Sequence, residues 1–212
     1  GSPDGRHATA RPHASRSIRQ LDGMTRPIDE RRTEADRYDL RRMHEHLRFG
    51  SASDRYAAWI DQIYPRDVWA GKVKTRRKKV GNESIEERLL PVASVEDYFL
   101  HFGVLEIDFT YYRPLIEATG KPSTNLFTLE TYAEHAPHNA RFVLKAPQQF
   151  IARRVRQRVD GRTVYVDNPD YLDASAFTKR FVEPAMSKLG VKLASIIVEQ
   201  PYERARESPP PD

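Results

Sequence analysis

From Val104 to Pro114 the chain carries its clearest pattern, with Leu105, Ile107 and Phe109 alternating with Glu106, Asp108 and Thr110. A period of two is what an extended strand imposes, so the pattern predicts a strand with one apolar side and one acid-rich side. In a parallel barrel wrapped by helices, the apolar side meets the helices. The carboxylates then point into the barrel, where an unpaired charge is costly. Three more strands are predicted. Leu47 to Gly50 is short and apolar; Arg141 to Ala146 sets Phe142 and Leu144 against Val143 and Lys145; Leu193 to Glu199 is almost continuously apolar, as a buried parallel strand is. Between them the spacing predicts helices at Ser94 to Phe102, stopped by Gly103, at Asn125 to Ala136, and at Ala174 to Leu189, which must bend or begin afresh near Pro184. Trp59, Ile60, Ile63, Tyr64 and Trp69 form an aromatic cluster that reads as core. Strands alternating with helices imply an α/β fold with parallel pairing.

Composition narrows the picture. A chain of 212 residues with 39% hydrophobic content supports one core of ordinary size. The absence of cysteine removes disulfides, thiolate metal sites and cysteine nucleophiles, leaving His, Asp and Glu as metal donors. No apolar run reaches membrane length, so a cytoplasmic protein without a membrane partner is expected. Residues 1–32 read as a disordered extension, with the first methionine at Met24; residues 33–46 as a lead-in helix striped by Leu40 and Met43; residues 203–212 as a polar tail. His44 and His46, two apart, lie on different helix faces and read as surface. The formal charge of +5 is concentrated in basic runs at Lys72 to Lys79 and Arg153 to Arg158. With no aromatic residue inside either run, both read as solvated loops, with a nucleic-acid groove as the alternative.

The stretch Leu105-Glu106-Ile107-Asp108-Phe109-Thr110-Tyr111-Tyr112-Arg113 resembles the Val-Glu-Ile-Asn-x-Thr-Phe-Tyr-Arg pattern of the YecE-like family, domain of unknown function number seventy-two. Tyr64-Pro65, Phe142 to Pro147, and Leu189-Gly190 through Pro201 are similar to further family segments in the same order, so the resemblance covers residues 47–202. It implies a TIM-type β/α barrel with no established reaction. Where the family has Gly-Thr-Ser-Gly-Trp, this chain has Gly50-Ser51-Ala52-Ser53-Asp54, without the second glycine and the tryptophan; Glu199 replaces a glutamine. Family barrels have eight strands and four are predicted here. The expectation is therefore a partial barrel with open edges, prone to self-association.

Working residues of such barrels sit at the C-terminal ends of strands and in the loops that follow. That rule selects Glu106, Lys145 and Glu199 as catalytic candidates, and Ser51, Asp54, Asp108, Tyr112, Arg113 and Gln200 as substrate-binding ones. Carboxylates around a lysine can transfer protons, hold a divalent cation, or orient an anionic substrate. A fixed ion-pair network is the competing reading. Three functions stay open: an enzyme using acid-base or metal-assisted chemistry on a small polar, sugar- or phosphate-bearing substrate; a nucleic-acid or nucleotide binder acting through the basic runs; and a truncated, inactive copy. No residue pattern names a cofactor.

Overall fold

The computed structural model describes residues 39–80 and 83–200. Four short strands, β1 (Gly50–Ser51), β4 (Val104–Ile107), β5 (Phe142–Lys145) and β8 (Leu193–Ile197), form one parallel sheet in chain order β1-β4-β5-β8. The intervening strands make two separate antiparallel hairpins, β2 (Lys74–Val80) with β3 (Glu83–Leu89) and β6 (Arg154–Val159) with β7 (Arg162–Asp167). The chain is thus a mixed α/β protein with a parallel sheet and flanking helices.

Parallel pairing puts Leu105 beside Phe142 and Ile107 beside Leu144, so the apolar positions of β4 and β5 share one face of the sheet. That face is covered. The helices α1 (Arg66–Trp69), α2 (Val95–His101), α3 (Thr124–His135), α4 (Gln148–Ile151), α5 (Ala174–Phe177) and α6 (Glu183–Leu189) follow in order. Tyr98 and Phe99 of α2, Leu129 and Tyr132 of α3, and Ala185 and Leu189 of α6 are buried in one cluster with the four strand residues. Phe142 lies edge-on to both Phe99, at 5.4 Å between ring centres, and Tyr132, at 6.0 Å. The opposite face carries Glu106, Lys145, Ser195 and Ile197 and has no helix layer over it among the described residues.

Several expectations are corrected. The first strand begins at Gly50, and Leu47 and Phe49 before it are exposed. Gly50 is required there, because a Cβ would lie 1.8 Å from the Val104 carbonyl oxygen of the neighbouring strand. The alternation of the central strand ends at Ile107, since Phe109–Tyr112 turns into a 3-10 helix and buries Thr110. Thr110 Oγ1 lies 2.7 Å from the Lys145 carbonyl and 3.1 Å from that of Ile107, tying the ends of β4 and β5 together. Strand β8 is an edge, with Ile197 and Val198 exposed, so its apolar run is not the signature of a buried strand. Of the lead-in helix only a 3-10 turn at Leu40–Arg42 appears from residue 39 onward, and the rest of that segment lies outside the described residues, as do residues 1–32 and 203–212.

Both basic runs are strands rather than loops. The second hairpin turns at Asp160-Gly161, both at positive φ, the two-residue turn whose twist matches paired strands. The last long helix does change near Pro184. A π-helical turn at Thr178–Val182 precedes α6, with Pro184 in its first turn, where a missing N–H does no harm. Among the described residues no helix is long and apolar enough to cross a membrane.

Candidate functional site at the sheet's C-terminal edge

Every long excursion of the chain leaves from the C-terminal end of a parallel strand: the β2–β3 hairpin after β1, the 3-10 turn after β4, the β6–β7 hairpin after β5. The loops therefore gather at one edge of the sheet, and the candidate residues with them.

On the uncovered face, Glu106 stands opposite Val143 in the β4–β5 register, one diagonal step from Lys145. The Lys145 ammonium lies 3.4 Å from Glu106 Oε1 and 3.0 Å from Glu199 Oε2, so the three catalytic candidates converge as the alternation implies. Their setting differs from a dry barrel interior. Glu106 and Lys145 side chains are each 25% exposed and Glu199 58%, so the cluster is half-open to water. The hydrogen bond to Glu199 is the main cause that raises the Lys145 pKa, opposed by partial burial and aided by Glu106. This lysine stays protonated and presents a fixed cation.

Glu106 also lines a cavity of about 870 Å³ whose wall includes Ser53, Asp54, Asp108, Tyr112, Arg113 and Tyr132. The floor is built around Asp54, which is 1% exposed. Its Oδ1 accepts a hydrogen bond of 2.7 Å from the Tyr132 hydroxyl, and its backbone carbonyl accepts one from the buried Tyr64 hydroxyl. Oδ2 is buried with no partner. Burial is the dominant influence and lifts the carboxyl from 3.8 to about 6, against the smaller downward pull of Tyr132 and Arg55; nearby Asp108 adds to the rise. Burial likewise drives the Tyr132 hydroxyl well above its ordinary pKa, so it remains a donor. The preceding Ser53 sits at φ 146°, a region that favours glycine and costs another residue about 1–3 kcal/mol. Strain and an unpartnered carboxylate oxygen therefore adjoin one another in the loop after β1.

The remaining candidates divide. Asp108, Tyr112 and Arg113 reach the cavity, with Arg113 also paired to Glu117 and Tyr112 largely exposed. Ser51 does not: its hydroxyl donates to the Ser53 carbonyl and meets the Tyr98 hydroxyl, which also receives the Ser51 N–H. Ser51 holds the loop rather than facing the cavity. Gln200 is exposed at the end of the described chain and, like Lys145 and Glu199, is not part of the cavity wall.

Tyr132 and Tyr64, which were not candidates in the sequence, are hydrogen-bonding neighbours of Asp54; Ser53, selected with Ser51 and Asp54 by the strand-end rule, lines the cavity. A signal existed for Tyr132: it follows Leu126 and Leu129 on the buried stripe of α3, and a buried tyrosine hydroxyl demands an acceptor. Arg76 and Glu87 of the first hairpin, paired at 2.5 Å, also line the cavity, a placement no local pattern reveals. Among the described residues no group of three or more His, Asp or Glu side chains is arranged to hold a metal ion. No family model, no curated protein and no solved structure matches this chain.

Proposed function

We propose that the C-terminal edge of the parallel sheet is a small-molecule site that moves a proton on a polar, sugar- or phosphate-bearing substrate. One observation carries the reading: the Asp54 carboxyl is fully buried at a cavity wall, one oxygen held by Tyr132 and the other bare. A buried polar atom without a partner is destabilising unless a ligand or water supplies one. A carboxyl with a pKa of about 6 is suited to giving and taking a proton near neutrality. In this reading Asp54 is the acid-base group, Tyr132 fixes its orientation, and Lys145, held between Glu106 and Glu199, attracts the anionic part of the substrate. Arg113 and Tyr112 contact its far end.

The fold-level proposal is a YecE-like, TIM-type half barrel. Two features support it: the sheet order follows the chain order without the reversal of doubly wound folds, and the candidate residues gather at the C-terminal edge. The uncovered face and the β1 and β8 edges would then take further strands or a second copy of the chain, and light scattering on the purified protein reads which.

The test of the site is binding of inorganic phosphate and a panel of pentose and hexose phosphates, followed by NMR across pH 4 to 8. Binding should change with a midpoint near pH 6, lose that dependence in Asp54→Asn, and lose its phosphate preference in Lys145→Met. An Asp54 carboxyl carbon that titrates near its ordinary value of about 3.9, with no member of the panel bound, overturns the reading.

A further inference from the structure

The Arg153 to Asp167 segment carries five arginines against two aspartates. Pairing of β6 with β7 sorts them. The register sets Arg154 opposite Asp167, Arg156 opposite Tyr165 and Arg158 opposite Thr163, so these six side chains share one face of the ribbon. Valines 155, 159, 164 and 166 fall on the other face. Along β6 the three arginines recur about 7 Å apart, two strand residues at a time. Among the described residues Arg154 alone of the ribbon's arginines is ion-paired, to Asp167 at a loose 3.7 Å.

The aromatic component that the basic run lacks in sequence is supplied by pairing. Tyr165 is 46% exposed, its hydroxyl accepts from Arg156 Nε at 2.7 Å, and the guanidinium lies 5.4 Å from its ring centre. Tyr112, arriving from the turn after β4, is 77% exposed, a large apolar surface to leave in water. Tyr112, Tyr165, Arg156, Gln148 and Asp170 line a second cavity of about 620 Å³ at the base of the ribbon. Asp170 offers little repulsion to an anion, because its Oδ2 accepts from both Arg180, at 2.9 Å, and Gln149. Evenly spaced cations leading to open aromatic rings and amide groups match the chemistry of a flexible polyanion with stacking faces.

We propose that the basic face of the β6–β7 ribbon, with the Tyr165–Tyr112 cavity at its base, is a track for single-stranded nucleic acid. Arg154, Arg156 and Arg158 take successive phosphates, and Tyr112 and Tyr165 take unstacked bases. A duplex fits less well, since its bases are already stacked and unavailable to the two rings. This site is separate from the acid-base cavity, sharing only Tyr112 with it.

The test uses the full chain and fluorescence anisotropy with a labelled 12-nucleotide oligo-dT, the same length of duplex, and heparin as a polyanion without bases. Oligo-dT should bind more tightly than duplex, with log affinity falling against log salt at a slope of about −2, the value for three phosphates on a single strand. Arg154→Gln, Arg156→Gln and Arg158→Gln together should cost at least tenfold on both oligo-dT and heparin. Tyr165→Ala and Tyr112→Ala should each weaken oligo-dT about 5- to 150-fold, as the loss of one stacked base does, and leave heparin unchanged. Thermal melting of each variant confirms folding, since none of the substituted side chains is buried. No binding of oligo-dT at low salt, equal binding of duplex, or tyrosine variants that bind oligo-dT as wild type overturns the proposal.

Discussion

The two faces of the parallel sheet are made from alternate residues of the same strands, yet they answer to different forces. On the covered face Leu105, Ile107, Phe142 and Leu144 are removed from water and packed against α2, α3 and α6, where large-to-small changes leave cavities. On the uncovered face Glu106, Lys145 and Glu199 hold one another in partly solvated ion pairs, which contribute little to stability. Asp54 belongs to neither regime. It lies beyond the strand end but is as buried as the core, and burial lifts its carboxyl to about 6. Stability resides on one face, and the candidate site lies at the edge of the other.

The comparison breaks most directly at Phe142. Phe142→Ala, at the centre of the covered face between Phe99 and Tyr132, should lower unfolding free energy by about 3–5 kcal/mol in urea denaturation. A loss under about 1 kcal/mol would mean that this face is not the core.

Asp54 gives the next largest effect, and its sign is the informative part. Its folded pKa of about 6 exceeds the unfolded 3.8, so the native state holds the proton more tightly and loses relative stability as pH rises through that window. About two pKa units correspond to about 3 kcal/mol. Asp54→Asn should therefore gain about that much on wild type between pH 4 and pH 7.5, measured as the difference between paired urea titrations. A difference that does not change with pH would show the carboxyl to be unperturbed.

Tyr132→Phe removes the side-chain hydrogen bond that Asp54 receives among the described residues. It should cost about 1–3 kcal/mol and raise the Asp54 pKa beyond about 6, because the lost hydrogen bond favours the charged form. NMR titration of the carboxyl carbon reads the shift; a downward movement would contradict the assigned geometry.

Lys145→Met should change stability least, by under about 1 kcal/mol, since a partly exposed pair is exchanged for an apolar chain of similar length. It should at the same time remove the preference for phosphorylated ligands. A large loss of stability with binding intact would make the cluster a fixed network and erase the distinction between the two faces.

By itself the sequence determined the central parallel strands, the helices between them and the apolar side of β4 and β5, because these follow from local periodicity; it did not determine the two hairpins, whose basic strands read as loops. Val104–Ile107 and Phe142–Lys145 alternate as read, α3 and the break before Pro184 fall within a few residues of expectation, and the convergence of Glu106, Lys145 and Glu199 follows from parity alone. The Asp160-Gly161 pair carries a hairpin signal that a reading of the stretch as irregular loop overlooks. Only tertiary structure decided what those elements face. Arg76 and Arg77 of β2 are matched in register by Glu87 and Glu86 of β3, while of the β6 arginines Arg154 faces Asp167 but Arg156 and Arg158 meet Tyr165 and Thr163, so two similar basic runs acquire different surroundings from the strand opposite. Likewise nothing near Asp54 in sequence marks it as buried. Its environment comes from Tyr132, which is 78 residues away, because a pKa is set by what surrounds a group in space and not by its neighbours along the chain.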